Sequence, residues 1–499
     1  MKKRICLILA VLMLLSTVAI FSSCGDKNTD GAASTTVTTL PGGNNNGGDG
    51  KDDSYLYEDL PTGAYDGYEF KTINADIGYA INTIVPEDTT DSLDAAIYAR
   101  NAYVKEKLNI NMVDLLTADI YSIMSALVSS NDFEYDLSFH RADSNTSLAR
   151  QGAYLMIDEY EEYLNFDKPW WFNDAMDSIK IDGKGFLTFS DMHLCYYDSM
   201  WTLMFNHSDL INNKVAFPYD MVRSGDWTIE ELEKIVKATY QKPGEEHFGI
   251  TSHAGFITAL HVACDFNVVD HDDDEILLMF EDESRLVDVY TKLKDAFFTS
   301  NGPGKMNYID FAGNSAAAVD PVHKAYEYGF VDRFVRGMAT FLSGTVGDMS
   351  DARACEHNYG YVPIPKYDTD QEQYIAMIHN GASSAGIPAT SPDVERTCVV
   401  LENLAAYSYK FVKYEYYDVL MQGRSVRDND SIEMLDIIFG VDEQRRGTTR
   451  FVLDKVYSMG ISVEIEKAMS DALTEVLVSV DGLRDSVEGK IEEIIEAYK

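Results

Sequence analysis

The sequence predicts an α/β fold in two lobes, each a mainly parallel sheet flanked by helices, with crossing strands as the hinge. Two observations lead to this expectation. Strand-like and helix-like segments alternate along the chain at lengths typical of βαβ units. Roughly 445 residues follow a polar N-terminal region, and this is more than one compact core accommodates.

The first folded segments carry clear periodic patterns. Residues 68–73, 110–115 and 135–139 alternate or run apolar as strands. Between them, residues 93–108 and 120–128 place apolar side chains three and four positions apart, which predicts amphipathic helices. This order of strand, helix, strand, helix and strand indicates βαβ units and parallel pairing.

Helix-start signals continue this pattern through the chain. Thr228 and Glu231 fit a capping box, in which each side chain bonds the backbone of the other residue. Ser391 followed by Pro392 fits an N-cap with proline at the first helical position. Apolar residues on one face of 487–495 predict a C-terminal helix.

The N-terminus predicts export and lipid anchoring. A basic start at 1–4 precedes an apolar stretch at 5–21 that is short for a membrane span, and small residues lead to Cys24. Residues 1–23 are therefore interpreted as a signal peptide, and Cys24 resembles the acylated cysteine of a bacterial lipobox. An uncleaved N-terminal anchor is the alternative. The polar residues 24–54 predict a flexible tether.

The charge of the chain restricts its partners. Without residues 1–23, acidic residues outnumber basic ones by 82 to 38. Such a surface repels phosphate backbones and anionic headgroups, so we expect no nucleic-acid binding and attachment to the membrane through the lipid alone. The 45% hydrophobic and 12% aromatic content indicates a folded globular protein rather than an acidic disordered one.

The cysteines give no metal signature. Cys195, Cys264, Cys355 and Cys398 are widely spaced, without a C-x-x-C pair or a histidine pattern for zinc. One disulfide or four buried thiols remain open. The acidic run at 270–275 lacks the glycine and distal glutamate of an EF-hand loop, and so favours a solvated turn.

Several short motifs occur in the order found in one family of binding proteins. They are DLSFHRAD at 136–143, QGAYLMID at 151–158, FNHSDL at 205–210, DWTIEEL at 226–232, the set Phe334, Gly337, Ala339 and Gly344, YGYVPIPK at 359–366, and AGIP at 385–388 followed by Ser391. In these motifs the chain resembles the maltose-binding-protein-like solute-binding proteins of ABC importers, which have the periplasmic-binding-protein fold of type II. The resemblance spans most of residues 65–420.

This resemblance implies how the chain is divided. Crossings are expected near 202–206, 363–367 and 410–417. They give lobe one as 55–203 plus 365–412, and lobe two as 204–364 plus 413–499. The ligand would bind in the cleft between the lobes, which close on it. The resemblance also implies a monomer without a cofactor at the outer face of the cell membrane, where it passes a sugar to permease subunits.

The candidate contacts follow from sugar chemistry, since sugar sites combine aromatic platforms with polar side chains. His140, Arg141 and Asp143 follow the third strand, at the sheet edge where α/β proteins bind ligands. A salt bridge across the loop is the alternative reading for Arg141 and Asp143. Tyr197 and Asp198 precede the crossing strand and are the best pair for a ring beside an acceptor.

Other candidates have a packing role as their alternative. Trp201 lies in the crossing strand, where alternation would place it on one face with Tyr197. Trp171 follows Trp170 in a loop, and either ring could form the floor of the cleft. Trp227 is expected to pack at a helix start. The last loop candidates are Tyr79, Thr345 and Asp348.

The sequence favours binding without catalysis. It contains no nucleophile elbow, zinc-protease motif or phosphate-binding loop. Carboxylates are too frequent for any pair of them to indicate a glycosidase. A lipid-anchored carbohydrate-active hydrolase and a surface glycan-adhesion lipoprotein remain the alternatives.

Overall fold

The computed structural model describes a set of ranges from residue 54 onward. These are 54–76, 89–180, 183–240, 247–253, 255–266, 269–272, 275–278, 283–300, 305–310, 329–351, 354–422, 428–440 and 449–453, with residues 489, 492, 493 and 496. All of them belong to one compact unit that begins at Asn45. The predicted signal peptide, the tether up to residue 53, Cys24, Tyr79 and most of the C-terminal helix lie outside the described residues.

Helices and strands alternate as expected. The helices are α1 (Ser92–Leu108), α2 (Ile120–Ser130), α3 (Ala142–Arg150), α4 (Asn173–Asp177), α5 (Cys195–Asp198), α6 (His207–Asn212), α7 (Tyr219–Ser224), α8 (Ile229–Thr239), α9 (Gly255–Ala263), α10 (Glu283–Leu293), α11 (Phe330–Val335), α12 (Val346–Asp351), α13 (Val394–Gln422) and α14 (Asn429–Phe439). The strands are β1 (Tyr68–Ala75), β2 (Ile110–Thr117), β3 (Leu137–Arg141), β4 (Leu187–Thr188), β5 (Trp201–Asn206), β6 (Phe248–His253), β7 (Val269–Asp272), β8 (Glu275–Leu278), β9 (Asn307–Asp310), β10 (Ala339–Thr345), β11 (Tyr359–Val362), β12 (Tyr374–Ile378), β13 (Ser383–Gly386) and β14 (Thr449–Leu453).

The first sheet has the order β2-β1-β3-β13-β4. Its first three strands are parallel, with Tyr68 opposite Ile110 and Thr72 opposite Leu137. β13 comes from far along the chain and lies antiparallel between β3 and β4. The predicted βαβ units therefore form the parallel part of this sheet, and a late strand extends it.

The second sheet has the order β11-β5-β10-β6-β9. β6 is parallel to β10 and β9, whereas β5 is antiparallel to β10 and β11. Two small pairs complete the described strands, β12 with β14 in parallel and β7 with β8 antiparallel. Each large sheet thus combines a parallel core with antiparallel strands.

Two hydrophobic clusters form the core, and the first includes residues of both large sheets, such as Leu342 of β10. Phe70 and Ile73 of β1 are fully buried in the first, and Phe205 and Ile250 are fully buried in the second. Burial of such side chains is the main favourable term in folding, at about 1.5–3 kcal/mol each. Long-range packing contributes to the first cluster, since α13 lies against α1.

The predicted element starts are partly right. The five elements from 68 to 141 are confirmed, and Asp91 caps α1 by accepting bonds from Leu93 and Asp94. The capping box at Thr228 is wrong, because its hydroxyl makes no cap bond to α8. The Ser391 cap is also wrong.

In its place, Asp393 caps α13 by accepting a bond from the backbone N–H of Arg396 at 3.1 Å. A carboxylate at this position satisfies an N–H that has no partner within the helix.

All four cysteines of the folded part are buried, and none forms a disulfide. No helix among the described residues is both long and apolar enough to cross a membrane.

Candidate ligand-binding site

The two sheets meet where two chain segments run side by side. Met200 and Ile378 form an antiparallel bridge, and the N–H of His379 donates to the carbonyl of Ser199 at 2.9 Å. The first segment leads into β5 of the second sheet, and the other leads into β13 of the first. Val346 at the start of α12 contacts the first of these segments, since its N–H donates to the carbonyl of Met200 at 2.8 Å.

Arg141 and Asp143 form a clamp at the end of β3. The guanidinium donates from Nη2 at 2.7 Å and from Nε at 3.2 Å to the two carboxylate oxygens of Asp143. Asn380 donates from Nδ2 to the same carboxylate at 2.8 Å. Both charged side chains keep about a quarter to a third of their surface exposed, at 31% and 24%. The clamp therefore holds a polar, accessible edge in a fixed orientation.

His140 lies directly beneath this clamp and is almost buried. Its Nδ1 accepts the N–H of Arg141 at 2.8 Å, which leaves the ring proton on Nε2. Burial lowers the pKa of His140 to about 4, so the ring is neutral near pH 7. The structure places this predicted residue under the site rather than at its surface.

Thr345 and Asp348 form the corresponding polar edge of the second sheet. The carboxylate accepts from the N–H and from the hydroxyl of Thr345, both at 2.9 Å. His253, at the end of β6, brings Nε2 to 4.0 Å from the same carboxylate. Gly344 permits this approach, because a Cβ there would lie 3.0 Å from a carboxylate oxygen of Asp348. The predicted pair is thus in contact, with a histidine that the sequence did not indicate.

Trp201 is the first residue of β5 and packs beside His253. It is 1% exposed, and its centroid lies 5.0 Å from that of His253. The first residue of α9 packs on it closely, since a Cβ at Gly255 would lie 2.8 Å from the ring. Within the described part of the chain, its indole Nε1 is buried without a hydrogen-bond partner.

His379 connects the two edges. Its ring centroid is 6.5 Å from that of His253, and its Nδ1 accepts the N–H of Gly381 at 3.1 Å. Burial, with His253 and Arg141 nearby, lowers the pKa of His379 to about 3. The ring is therefore neutral, and it offers hydrogen bonds rather than charge.

Tyr197 and Asp198 lie in α5, immediately before the meeting point. The predicted strand alternation is wrong here, because Cys195–Asp198 is a helical turn. Tyr197 is buried and donates to Asp191. Its ring stacks on Tyr416 at 5.5 Å, and the hydroxyl of Tyr416 donates to Asp198 at 2.6 Å. Tyr197 and Tyr416 are therefore packing residues that hold the helical turn carrying Asp198 in place.

Trp171 is placed elsewhere, in the interior of the first cluster. Its indole N–H donates to Glu402 at 3.1 Å, and so does that of Trp170. Neither ring is brought together with the clamp or with Asp348. Trp227 is also an interior ring, as expected, and donates to the carbonyl of Pro363 at 2.8 Å.

We call the group at the meeting point the seam. Its members are Arg141, Asp143, Asp198, Trp201, His253, Thr345, Asp348, His379 and Asn380. The sequence indicated six of them, and missed His253, His379 and Asn380. These three stand in apolar or glycine-containing stretches where single polar residues carry no periodic signal.

No group of three or more His, Cys, Asp or Glu residues in the described ranges could hold a metal ion. Of the acidic run at 270–275, residues 270–272 lie in β7 and Glu275 begins β8, the strand that pairs with β7.

Comparisons with known proteins identify the fold. No protein-family model matches the chain, and no curated protein sequence is similar to it. Solved structures do match. One is an ABC substrate-binding protein from Listeria monocytogenes in complex with cycloalternan, at 13% identity and a TM-score of 0.52, covering 86% of this chain and 99% of that one.

Two further solved structures match at a similar identity and over a similar share of the chain. The GacH receptor of Streptomyces glaucescens, solved without ligand and with acarbose, covers 87% of this chain and 100% of its own at 12% identity and a TM-score of 0.51. A solute-binding protein of an ABC transporter from Thermotoga lettingae, bound with α-D-tagatose, gives the same values. The chain therefore has the two-lobed fold of such binding proteins, and the predicted fold class is confirmed.

Proposed function

We propose that this protein is an extracytoplasmic solute-binding protein that captures a carbohydrate, in particular an oligosaccharide, at the seam. It would be held at the outer face of the membrane by a lipid on Cys24, act as a monomer and pass its ligand to the permease of an ABC importer. The observation that carries the proposal is that polar side chains from both sheets lie where the two sheets meet, with His253 and His379 in ring contact across the meeting point. The predicted lobe boundaries belong to the same proposal.

The chemistry of the seam suits a sugar. Sugars present rims of hydroxyl groups and apolar C–H faces, so their sites combine carboxylates, amides and aromatic rings. The Arg141–Asp143 clamp supplies the first kind of contact from one sheet, and Thr345 with Asp348 supplies it from the other. The ligands bound by the three similar structures, all carbohydrates or their analogues, support this class.

The arrangement also favours binding over catalysis. Asp143 accepts from Arg141, Asn380 and the N–H of Ser144 at 2.6 Å, so both of its oxygens are occupied as acceptors. Asp348 is likewise an acceptor for Thr345. Both carboxyl groups are thus engaged as acceptors within the protein, whereas a glycosidase needs one that is positioned to donate a proton to the glycosidic oxygen.

Calorimetric titration of the purified protein tests this proposal. We expect at least one of glucose, maltotriose or xylotriose to bind, and chromatography of the recovered sugar to show it unchanged. Hydrolysis of the sugar would replace the proposal with the hydrolase alternative. For the anchor, Cys24→Ser should move the protein from the membrane fraction to the soluble fraction, and unchanged partitioning would contradict lipidation.

A further inference from the structure

Trp201 carries an unused hydrogen-bond donor at the seam. Its indole N–H is buried and has no partner in the described part of the chain. A buried N–H without a partner is costly, because it has given up water and gained nothing in return. Folded proteins keep such groups mainly where a ligand, ion or water completes them.

Asn380 carries an unused acceptor in the same region. Its Nδ2 donates to Asp143 at 2.8 Å. A carboxylate accepts but does not donate, so this bond fixes which end of the amide is nitrogen and which is oxygen. The remaining atom, Oδ1, is buried, and the described residues supply no donor for it.

The donor and the acceptor belong to residues that two histidines link across the seam. Trp201 lies 5.0 Å from His253, measured between ring centroids, and His253 lies 6.5 Å from His379, the residue before Asn380. Both atoms are covered in this arrangement, so a ligand reaches them only when the two edges separate. Water would then form hydrogen bonds with both atoms. When the edges close again, burying the two atoms is favourable only if a bound group replaces these water molecules as a hydrogen-bond partner.

We propose that Trp201 Nε1 and Asn380 Oδ1 together form hydrogen bonds with the hydroxyl groups of a neutral sugar. The inference rests on the proposed function and narrows its ligand class. A hydroxyl group accepts from the indole and donates to the amide, and two neighbouring hydroxyls can divide these roles. A carboxylate cannot donate to Asn380, and an ammonium group cannot accept from Trp201. Arg141 would attract the carboxylate of an acidic sugar only weakly, because Asp143 already balances its positive charge.

Two tryptophan variants separate a ligand contact from a structural one. Trp201→Phe removes an N–H that has no partner together with part of the buried ring, so the Tm of the free protein should fall less than in Trp227→Phe. Trp227→Phe is the matched control, because it removes an N–H that bonds Pro363 in the interior. It should lower the Tm and leave sugar affinity unchanged.

The titrations use glucose, maltotriose and xylotriose as neutral probes, with glucuronate and trigalacturonate as acidic ones. We expect Trp201→Phe to weaken the best neutral probe about tenfold, the usual size for one buried hydrogen bond. Glucuronate should bind wild type at least about tenfold more weakly than glucose, and trigalacturonate at least about tenfold more weakly than the better neutral trisaccharide.

The possible failures are distinguishable. If Trp201→Phe lowers the Tm as Trp227→Phe does and leaves affinity unchanged, the indole has a structural partner and this inference is overturned. If acidic probes bind as tightly as neutral ones, the inference is again overturned while the proposed function stands. If no probe binds wild type, the proposed function fails and takes the inference with it.

Discussion

Buried tryptophan indole N–H groups have hydrogen-bond acceptors in the interior around Glu402, whereas the one at the seam has none among the described residues. Glu402 is 1% exposed, and its carboxyl oxygens accept from the indoles of Trp170 and Trp171 and from the N–H of Asn165 at 3.1–3.2 Å. At the seam, Trp201 is as deeply buried and its indole N–H has no partner among the described residues.

The difference separates a structural tryptophan from one available to a ligand. A buried polar group that is fully paired fixes the packing of a core, whereas an unpaired one costs stability until something binds it. The first region is complete without a ligand. The seam is incomplete without one, and this is the physical basis for placing function there.

The largest expected effect comes from breaking the complete region. Glu402→Ala leaves the buried indole N–H groups of Trp170 and Trp171 without an acceptor and opens a cavity, so we expect the free energy of unfolding to fall by about 3 kcal/mol or more. Chemical denaturation measures it. Glu402→Gln is the control, since it keeps an oxygen acceptor and should cost less. A loss below about 1 kcal/mol would mean that the two regions do not differ as described.

A second effect is the dependence of stability on pH. Burial raises the pKa of Glu402 to about 8 from its ordinary value of 4.5. Between these values the folded state keeps a proton that the unfolded state releases, so stability falls as pH rises, by at most about 1.4 kcal/mol per pH unit.

The contribution of Glu402 can be separated from that of the buried histidines by the pH range in which each group acts. Buried histidines such as His379 and His193 have lowered pKa values, and they act on stability only below about 6.5. Denaturation of wild type and Glu402→Gln between pH 6.5 and 8 should therefore show a steeper decline in wild type. Parallel curves would indicate that the carboxyl is already ionised there.

A smaller effect sharpens the comparison at the seam. Asp143→Asn should weaken sugar binding about three- to tenfold, because Arg141 loses the carboxylate that orients it. Asp158→Asn is a matched control, since Asp158 pairs with Lys180 at the same exposures of 31% and 24% and also accepts a backbone N–H. Calorimetric titration of both variants checks this. Equal affinities would remove the clamp from the binding site.

Local patterns made the first sheet predictable. The period of apolar residues from 68 to 141 gave three strands and two helices in the right order, because neighbouring segments there pair with each other. Their strand ends also located Arg141 and Asp143. The resemblance added Thr345 and Asp348, which the structure finds in contact.

Long-range pairing was not predictable in the same way. β13 inserts between β3 and β4 from more than 190 residues away along the chain, and this brings Asn380 beside Asp143. A single asparagine between a histidine and a glycine carries no pattern that could reveal this contact. The helical turn at Cys195–Asp198 was missed because four residues are too few to show a period.

Small-angle X-ray scattering with and without a saturating sugar tests the central claim most directly. If the seam is completed by a ligand held from both sheets, the bound protein should be more compact, and its radius of gyration should decrease. Trp201→Phe should need more sugar to reach the same decrease. A sugar that binds tightly while the scattering curve stays unchanged would contradict the account.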